Sequence, residues 1–119
     1  MRRKDLGIYI HIPFCVRKCL YCDFCSMPAE DDIKYNYVNK LMEEISVAER
    51  KYNVNLSQFQ VRTIYIGGGT PSVIHEDYIN IILCKVKEYF SKQKQEITIE
   101  VNPGTVTRKK LVSYKEAGI

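Results

Sequence analysis

No stretch of this chain approaches the length of apolar residues needed to cross a membrane. The opening Met1-Arg2-Arg3-Lys4-Asp5-Leu6 carries charges but no apolar run of signal-peptide length after them. Those two absences argue against an integral membrane protein and an exported one. Exported small domains are where cysteines pair into disulfide frameworks. The five cysteines here, an odd number, are therefore expected to be reduced and the protein cytoplasmic. No loop is rich enough in Pro, Gly or Ser to separate two domains, and there is neither an internal repeat nor a low-complexity segment. The G-x-G-x-x-G of a dinucleotide site is missing, as is the Lys-Ser/Thr of a P-loop. Charge is not blocked by sign: 18 basic and 14 acidic residues, net +4, are interspersed. The one dense basic cluster, Arg108-Lys109-Lys110, falls where a helix should begin and reads as a solvated face. Nucleic acid is not the expected partner.

What the chain does have is a concentration of cysteine after its first apolar run. Ile8, Ile10 and Ile12 alternate with Tyr9 and His11, the period of a strand. The loop that follows carries Cys15, Cys19 and Cys22, spaced C-x3-C-x2-C. Zinc sites usually match C-x2-C with a second Cys or His pair. Cys25, His75 and Cys84 supply no such pair. Spacing alone leaves open a metal cluster or three unrelated buried thiols. Cubane iron–sulfur clusters usually take four cysteines. Three thiolates would leave one iron without a protein ligand and open to another molecule. Cys25 is read as a non-ligand, because a fourth thiolate would close that position. Cys84 falls in the apolar part of a helix and is expected in the core.

The rest of the chain alternates. Pro28 and the acidic run Glu30-Asp31-Asp32 suit the first turn of a helix. Ile33, Tyr37, Leu41, Ile45, Ala48 and Tyr52 continue it as one apolar stripe of about five turns. A polar connector over 53–60 leads to a second strand, 61–66, which stops at Gly67-Gly68-Gly69-Thr70-Pro71-Ser72. Ile79, Ile82, Leu83, Val86, Tyr89 and Phe90 repeat at helical spacing. A third strand over 97–102 ends at Pro103-Gly104. Thr107 is placed to cap a final helix holding Leu111, Val112 and Tyr114 and ending near Ala117-Gly118.

The order β-α-β-α-β-α predicts an α/β fold with parallel strands. A closed eight-fold barrel needs about 250 residues. Three βα units therefore read as the N-terminal part of a longer barrel-like domain, with a complete small three-stranded domain as the alternative. Functional groups in such folds collect at the C-terminal ends of strands. The cysteine loop, the glycine run and Glu100-Val101-Asn102-Pro103 all fall there. The alternation sends Ile8/Ile10/Ile12, Ile64/Ile66 and Ile97/Ile99/Val101 toward the helices. Tyr9, His11, Tyr65, Thr98, Glu100 and Asn102 then face the other way.

Each candidate has a functional and a plain reading. Three glycines let a ligand approach the backbone, where a free amide or carbonyl can bind its amino-acid end, or they make a tight turn. Glu100 can accept hydrogen bonds from a ribose or an ammonium group, or pair with a neighbouring strand. His11 can be a satisfied core histidine. Tyr21 can pack against a base or anchor its loop.

Taken together, Tyr9-Ile10-His11-Ile12-Pro13-Phe14-Cys15, the C-x3-C-x-Tyr-Cys loop, Gly67-Gly68-Gly69-Thr70-Pro71-Ser72 and Ile99-Glu100-Val101-Asn102-Pro103-Gly104 resemble the radical S-adenosylmethionine (SAM) superfamily. Within it the chain is similar to the oxygen-independent coproporphyrinogen III oxidase-like group, which includes the HemW heme chaperones. The match runs from about residue 8 to the end, with the motifs in order.

The resemblance implies a partial (β/α)6 TIM-type barrel, of which residues 1–119 are a truncated N-terminal portion. It implies a [4Fe–4S] cluster on Cys15, Cys19 and Cys22, with SAM on the fourth iron. By motif position Tyr9, Tyr21, Gly68, Gly69, Thr70 and Glu100 contact that cofactor. The implied chemistry is one-electron cleavage to a 5′-deoxyadenosyl radical.

Two functions compete within the group. The oxidase, an oxidoreductase of porphyrin biosynthesis, decarboxylates two propionates of coproporphyrinogen III. The chaperones bind heme and hand it to a haem protein, so a heme acceptor and an electron donor are implied partners. Oxidases place a fourth cysteine two residues after the third. Here that position is Phe24, which looks chaperone-like, while Cys25 departs from both patterns. A third expectation is an inactive fragment that does not hold the cofactor.

Overall fold

A computed structural model describes residues 4–15, 30–53, 55, 58–90 and 95–119. Strand β1 (Lys4–Ile12) precedes helices α1 (Asp31–Ser46) and α2 (Ala48–Tyr52). Strand β2 (Phe59–Gly68) leads through a 3₁₀ turn at Pro71–Val73 into α3 (Glu76–Tyr89). Strand β3 (Glu96–Ile99) and α4 (Arg108–Glu116) complete the described elements. Among the described residues, no helix is long and apolar enough to cross a membrane.

The strands form one sheet in the order β1-β2-β3, with both pairs parallel. That is the α/β architecture expected from the alternation. The three strands share one polarity, so their C-terminal ends lie along one edge of the sheet. Register is regular except between Leu6 and Gly7, where Arg62 of β2 is skipped. Each such irregularity adds a residue to one strand and bends it.

The alternation sorts the two faces of the sheet. Ile10, Ile12, Val61, Ile64 and Ile66 are buried with Val38 of α1, Ile79, Ile82, Leu83 and Val86 of α3 and Tyr114 of α4. Ile8, Ile97 and Ile99 are partly buried against the same core. Full burial of an aliphatic side chain of this size contributes about 1.5–3 kcal/mol, so this layer is a main source of the fold's stability. Tyr9 and Tyr65 on the opposite face stay 57% and 41% exposed.

Several local expectations are corrected. The long stripe 33–52 is two helices. The Ser46 hydroxyl donates to the Glu43 carbonyl, and Val47 leaves helical geometry at φ −111°, ψ 10°. A side chain bonded to its own helix backbone competes with the ladder, which gives a physical reason for a break there. Ile33 and Tyr52, at the ends of the stripe, are exposed. Val38, outside the stripe, is the residue of α1 that is buried.

In α3 the buried set is as predicted, but Tyr89 is exposed, and Cys84 is exposed rather than core. It sits two residues from Ile82 and Val86, and a helix sends positions two apart to different faces. In α4, Leu111 and Val112 are exposed and Tyr114 alone is buried. Val101 lies past the end of β3 and is exposed, so strand alternation no longer sets its direction. The cap and the stop of α4 hold: the Thr107 hydroxyl accepts from Lys110 N–H at 3.1 Å, and Gly118 sits at φ +99°.

Candidate cofactor site

The C-terminal edge of the sheet is stitched together by backbone hydrogen bonds. Gly69 N–H donates to the Ile12 carbonyl at 2.9 Å and Thr70 N–H to the Phe14 carbonyl at 2.6 Å. Glu100 N–H donates to the Ile66 carbonyl at 3.0 Å, extending the β2–β3 pairing one residue past the strand. The glycine turn is thus fixed to the start of the cysteine loop on one side and to Glu100 on the other. Phe14 is fully buried, packed edge-on against Tyr37 with ring centroids 5.3 Å apart. Its neighbour Cys15 is a half-buried free thiol.

The glycines have distinct reasons. A Cβ on Gly67 would run into Glu100 Oε1, and into the rings of Tyr65 and Tyr9 at 2.8 and 3.2 Å. Those three side chains close over Gly67, which is buried although its strand face is otherwise open. Gly68 sits at φ +120°, and a Cβ there would lie 2.6 Å from the Ile12 carbonyl oxygen and 3.0 Å from the His11 ring. Only glycine takes that backbone conformation readily. The amides of Gly69 and Thr70 are engaged with the Ile12 and Phe14 carbonyls, so of the amide or carbonyl the sequence left open these two amides are not free. A ligand ammonium would instead need acceptors: turn carbonyls and the Glu100 carboxylate.

The polar side chains on this edge are connected. The Tyr9 hydroxyl lies 3.2 Å from His11 Nδ1, and the Tyr9 and Tyr65 rings stack with centroids 6.0 Å apart. The Tyr65 and Glu100 side chains meet over Gly67; the interaction of the phenol with Glu100, then burial, raises the Tyr65 pKa above the usual tyrosine value. On the helix side, the Tyr37 hydroxyl donates to the His11 carbonyl at 2.5 Å. Burial, followed by Glu44 and Tyr9, raises the Tyr37 pKa.

Behind the edge, Ser72 is fully buried. Its hydroxyl accepts from Asn102 N–H at 3.1 Å and bonds the Thr105 hydroxyl at 2.5 Å. Lys110 Nζ donates to the Ser72 and Thr105 carbonyls. That corrects the reading of Arg108-Lys109-Lys110 as a wholly solvated face: Lys110 ties two loops together. Asn102 turns its side-chain oxygen to Gly104 N–H at 2.8 Å rather than lining the open face.

The structure therefore brings together Tyr9, Gly68, Gly69, Thr70 and Glu100 of the expected contacts, with Cys15 at their border. Cys19, Tyr21, Cys22 and Cys25 lie outside the described residues. Among the described residues no three His, Cys, Asp or Glu gather as a metal site. The sequence did not reveal the roles of Gly67, Tyr65 and Ser72. Gly67 and Ser72 stood in the motif, but their ties, like those of Tyr65, run between segments distant in sequence and carry no local signal.

The Radical SAM superfamily profile matches residues 9–119. The chain belongs to the radical SAM superfamily. It is 38% identical over 116 residues to the heme chaperone HemW of Haemophilus influenzae, covering 96% of this chain and 30% of that one. It is 38% identical over 125 residues to HemW of Escherichia coli, covering 100% of this chain and 31% of that one. HemW of Bacillus subtilis is 34% identical over 113 residues, covering 93% and 29%. Among solved structures, E. coli coproporphyrinogen III oxidase (HemN), a radical SAM enzyme, superposes with TM-score 0.79 at 25% identity. That match covers 99% of this chain and 26% of that one. The chain thus spans about 30% of the length of the curated relatives it matches.

Radical SAM membership implies a [4Fe–4S] cluster and SAM. The residues of this edge fit the nucleoside cofactor: a carboxylate held over a position where a Cβ has no room, flanked by two exposed aromatic rings. Cys15 offers one thiol at the same edge.

Proposed function

We propose that this protein is a HemW-type radical SAM heme chaperone, and that its three βα units are the N-terminal part of a larger radical SAM core. The observation that carries this reading is the 38% identity to two HemW proteins over nearly the whole chain. Phe24 supports it, standing where an oxidase would carry a fourth cysteine.

In this reading Cys15, Cys19 and Cys22 ligate the cluster, and SAM occupies the remaining iron. When bound, the pair supplies one-electron reductive cleavage of the sulfonium. The protein's part is placement. Glu100 accepts hydrogen bonds from the nucleoside or its ammonium group. The Gly68–Gly69 backbone lets the ligand approach closely, Thr70 and Tyr9 border it, and Tyr21 packs against the base. Heme passes to a haem-accepting protein, an electron donor serves the cluster, and the protein works in the cytoplasm.

Heme titration of the full-length protein, followed by Soret absorbance, tests the function. Tight stoichiometric binding is expected, and no binding would remove the chaperone reading. A second reading, an oxygen-independent coproporphyrinogen III oxidase, is favoured by the structural match to HemN. Decarboxylation of coproporphyrinogen III by the anaerobic, reduced protein would establish it in place of the first. If the reconstituted chain takes up no cluster, an inactive fragment becomes the better description.

A further inference from the structure

Tyr65 stands apart from the motifs that marked the site. It lies in the middle strand of the three, directly beside Tyr9 of β1 and Thr98 of β3 in register. Its ring lies nearly parallel to that of Tyr9, with 16° between the planes. Both rings reach to within contact of the position a Gly67 Cβ would take, and so does Glu100 Oε1. An exposed tyrosine pair on a sheet can be a plain cross-strand contact, contributing a fraction of a kcal/mol. The arrangement around Gly67 is more specific than that. A carboxylate on the residue just past β3 is free to swing through solvent unless something holds it.

We propose that Tyr65 is a positioning residue for the sulfonium-nucleoside site: its phenol donates to Glu100, and its ring, stacked on Tyr9, holds that carboxylate above Gly67. The inference rests on the reading that Glu100 contacts SAM. It adds a residue that neither the motifs nor the relatives' names assign. Gly67 is part of the device, since any side chain there would displace the carboxylate from its seat. The upward-shifted Tyr65 ionisation accords with a phenol that donates to a carboxylate. The titratable groups facing it are Glu100 and Tyr9, with His11 bonded to Tyr9.

The test uses the protein reconstituted anaerobically with iron and sulfide, and radiolabelled SAM in equilibrium dialysis. Y65F keeps the ring and removes the donor, while E100Q removes the charge. Y65F is expected to weaken SAM binding about tenfold, the scale of one hydrogen bond to a charged group. Its cluster absorbance per protein should match that of the unsubstituted protein. A second readout needs no cofactor. With ring-labelled tyrosine, the NMR titration of Tyr65, identified by its absence in Y65F, should move back toward ordinary tyrosine in E100Q.

If Y65F binds SAM normally while E100Q binds weakly, the cofactor reading stands and the role given to Tyr65 is overturned. If both bind normally, the placement of SAM at Glu100 fails, and the inference fails with it. A Tyr65 titration indifferent to E100Q removes the hydrogen bond on which the inference depends. Loss of cluster absorbance in Y65F would make the role structural and overturn it equally.

Discussion

Thr70 and Phe14, 56 residues apart in sequence, are joined by a 2.6 Å backbone hydrogen bond. The glycine turn after β2 therefore sets the position of the residue that immediately precedes Cys15. Phe14 is itself locked into the core beside Tyr37. Phe14→Ala should lower stability by about 3–5 kcal/mol, as expected for emptying a buried aromatic site. Phe14→Leu should cost less. Urea denaturation followed by circular dichroism ranks the two. Equal costs would show that ring packing does not anchor this end of β1.

Adjacent glycines should respond differently to alanine. At Gly68 a Cβ meets backbone, the Ile12 carbonyl, and φ is +120°. Neither can move cheaply, so Gly68→Ala should cost about 2 kcal/mol or more. At Gly67 one of the obstacles is the far end of Glu100, which can swing away. Gly67→Ala should be milder in denaturant midpoint yet weaken SAM binding. The reverse order of stabilities would contradict the steric account.

Ser72→Ala should destabilise by about 0.5–1.5 kcal/mol, the usual net contribution of one intramolecular hydrogen bond. The stranded group is Asn102 N–H. Hydrogen exchange offers a local check: the Asn102 amide should lose protection in the variant while amides in α1 keep theirs. Uniform loss across the fold would argue against a local tie between the two loops.

Glu76 carries a pH dependence. A hydrogen bond from its own backbone N–H at the start of α3 lowers its pKa, and the charges of His75, Lys109 and Lys110 add to this against the opposing effect of burial. Lys109 Nζ lies 3.6 Å from its carboxylate. A folded-state value below the unfolded one means that the unfolded chain binds the proton more readily. The stabilisation is complete above the ordinary glutamate range and is lost as pH falls through the lowered folded value. Glu76→Gln should flatten the acid limb of the stability–pH curve in that window, measured as denaturant midpoint against pH. An unchanged acid limb would place the depressed carboxylate elsewhere.

Cys15→Ser should abolish the brown colour of the anaerobically reconstituted protein and its capacity to cleave SAM. Both properties are read in one sample, by visible absorbance and by release of 5′-deoxyadenosine. Their survival would remove Cys15 from the ligand set.

Much of this was legible in the chain. The alternation Ile8/Ile10/Ile12 and Ile64/Ile66 correctly sent those residues under the helices, because strand side chains reverse face at every step. Tyr9 and Tyr65 followed onto the open face by the same rule. Thr107 was readable as a cap, since a side-chain oxygen needs only its own next turn to act. The long helix over 33–52 misled because apolar spacing says nothing about Ser46 bonding back to Glu43. Cys84, Leu111 and Val112 misled for a related reason. Apolar character does not show which face a neighbouring element will cover.

By itself the sequence determined the parallel βα order, the faces of the strands and the family, since all three follow from periodicity and from motifs a few residues long. Only the tertiary structure decided that the amides of Gly69 and Thr70 are engaged with the Ile12 and Phe14 carbonyls, that Lys110 joins two loops, and that Tyr65 and Glu100 meet over Gly67. Those contacts join segments tens of residues apart. Their partners are chosen by strand register and crossover packing, which no local pattern encodes.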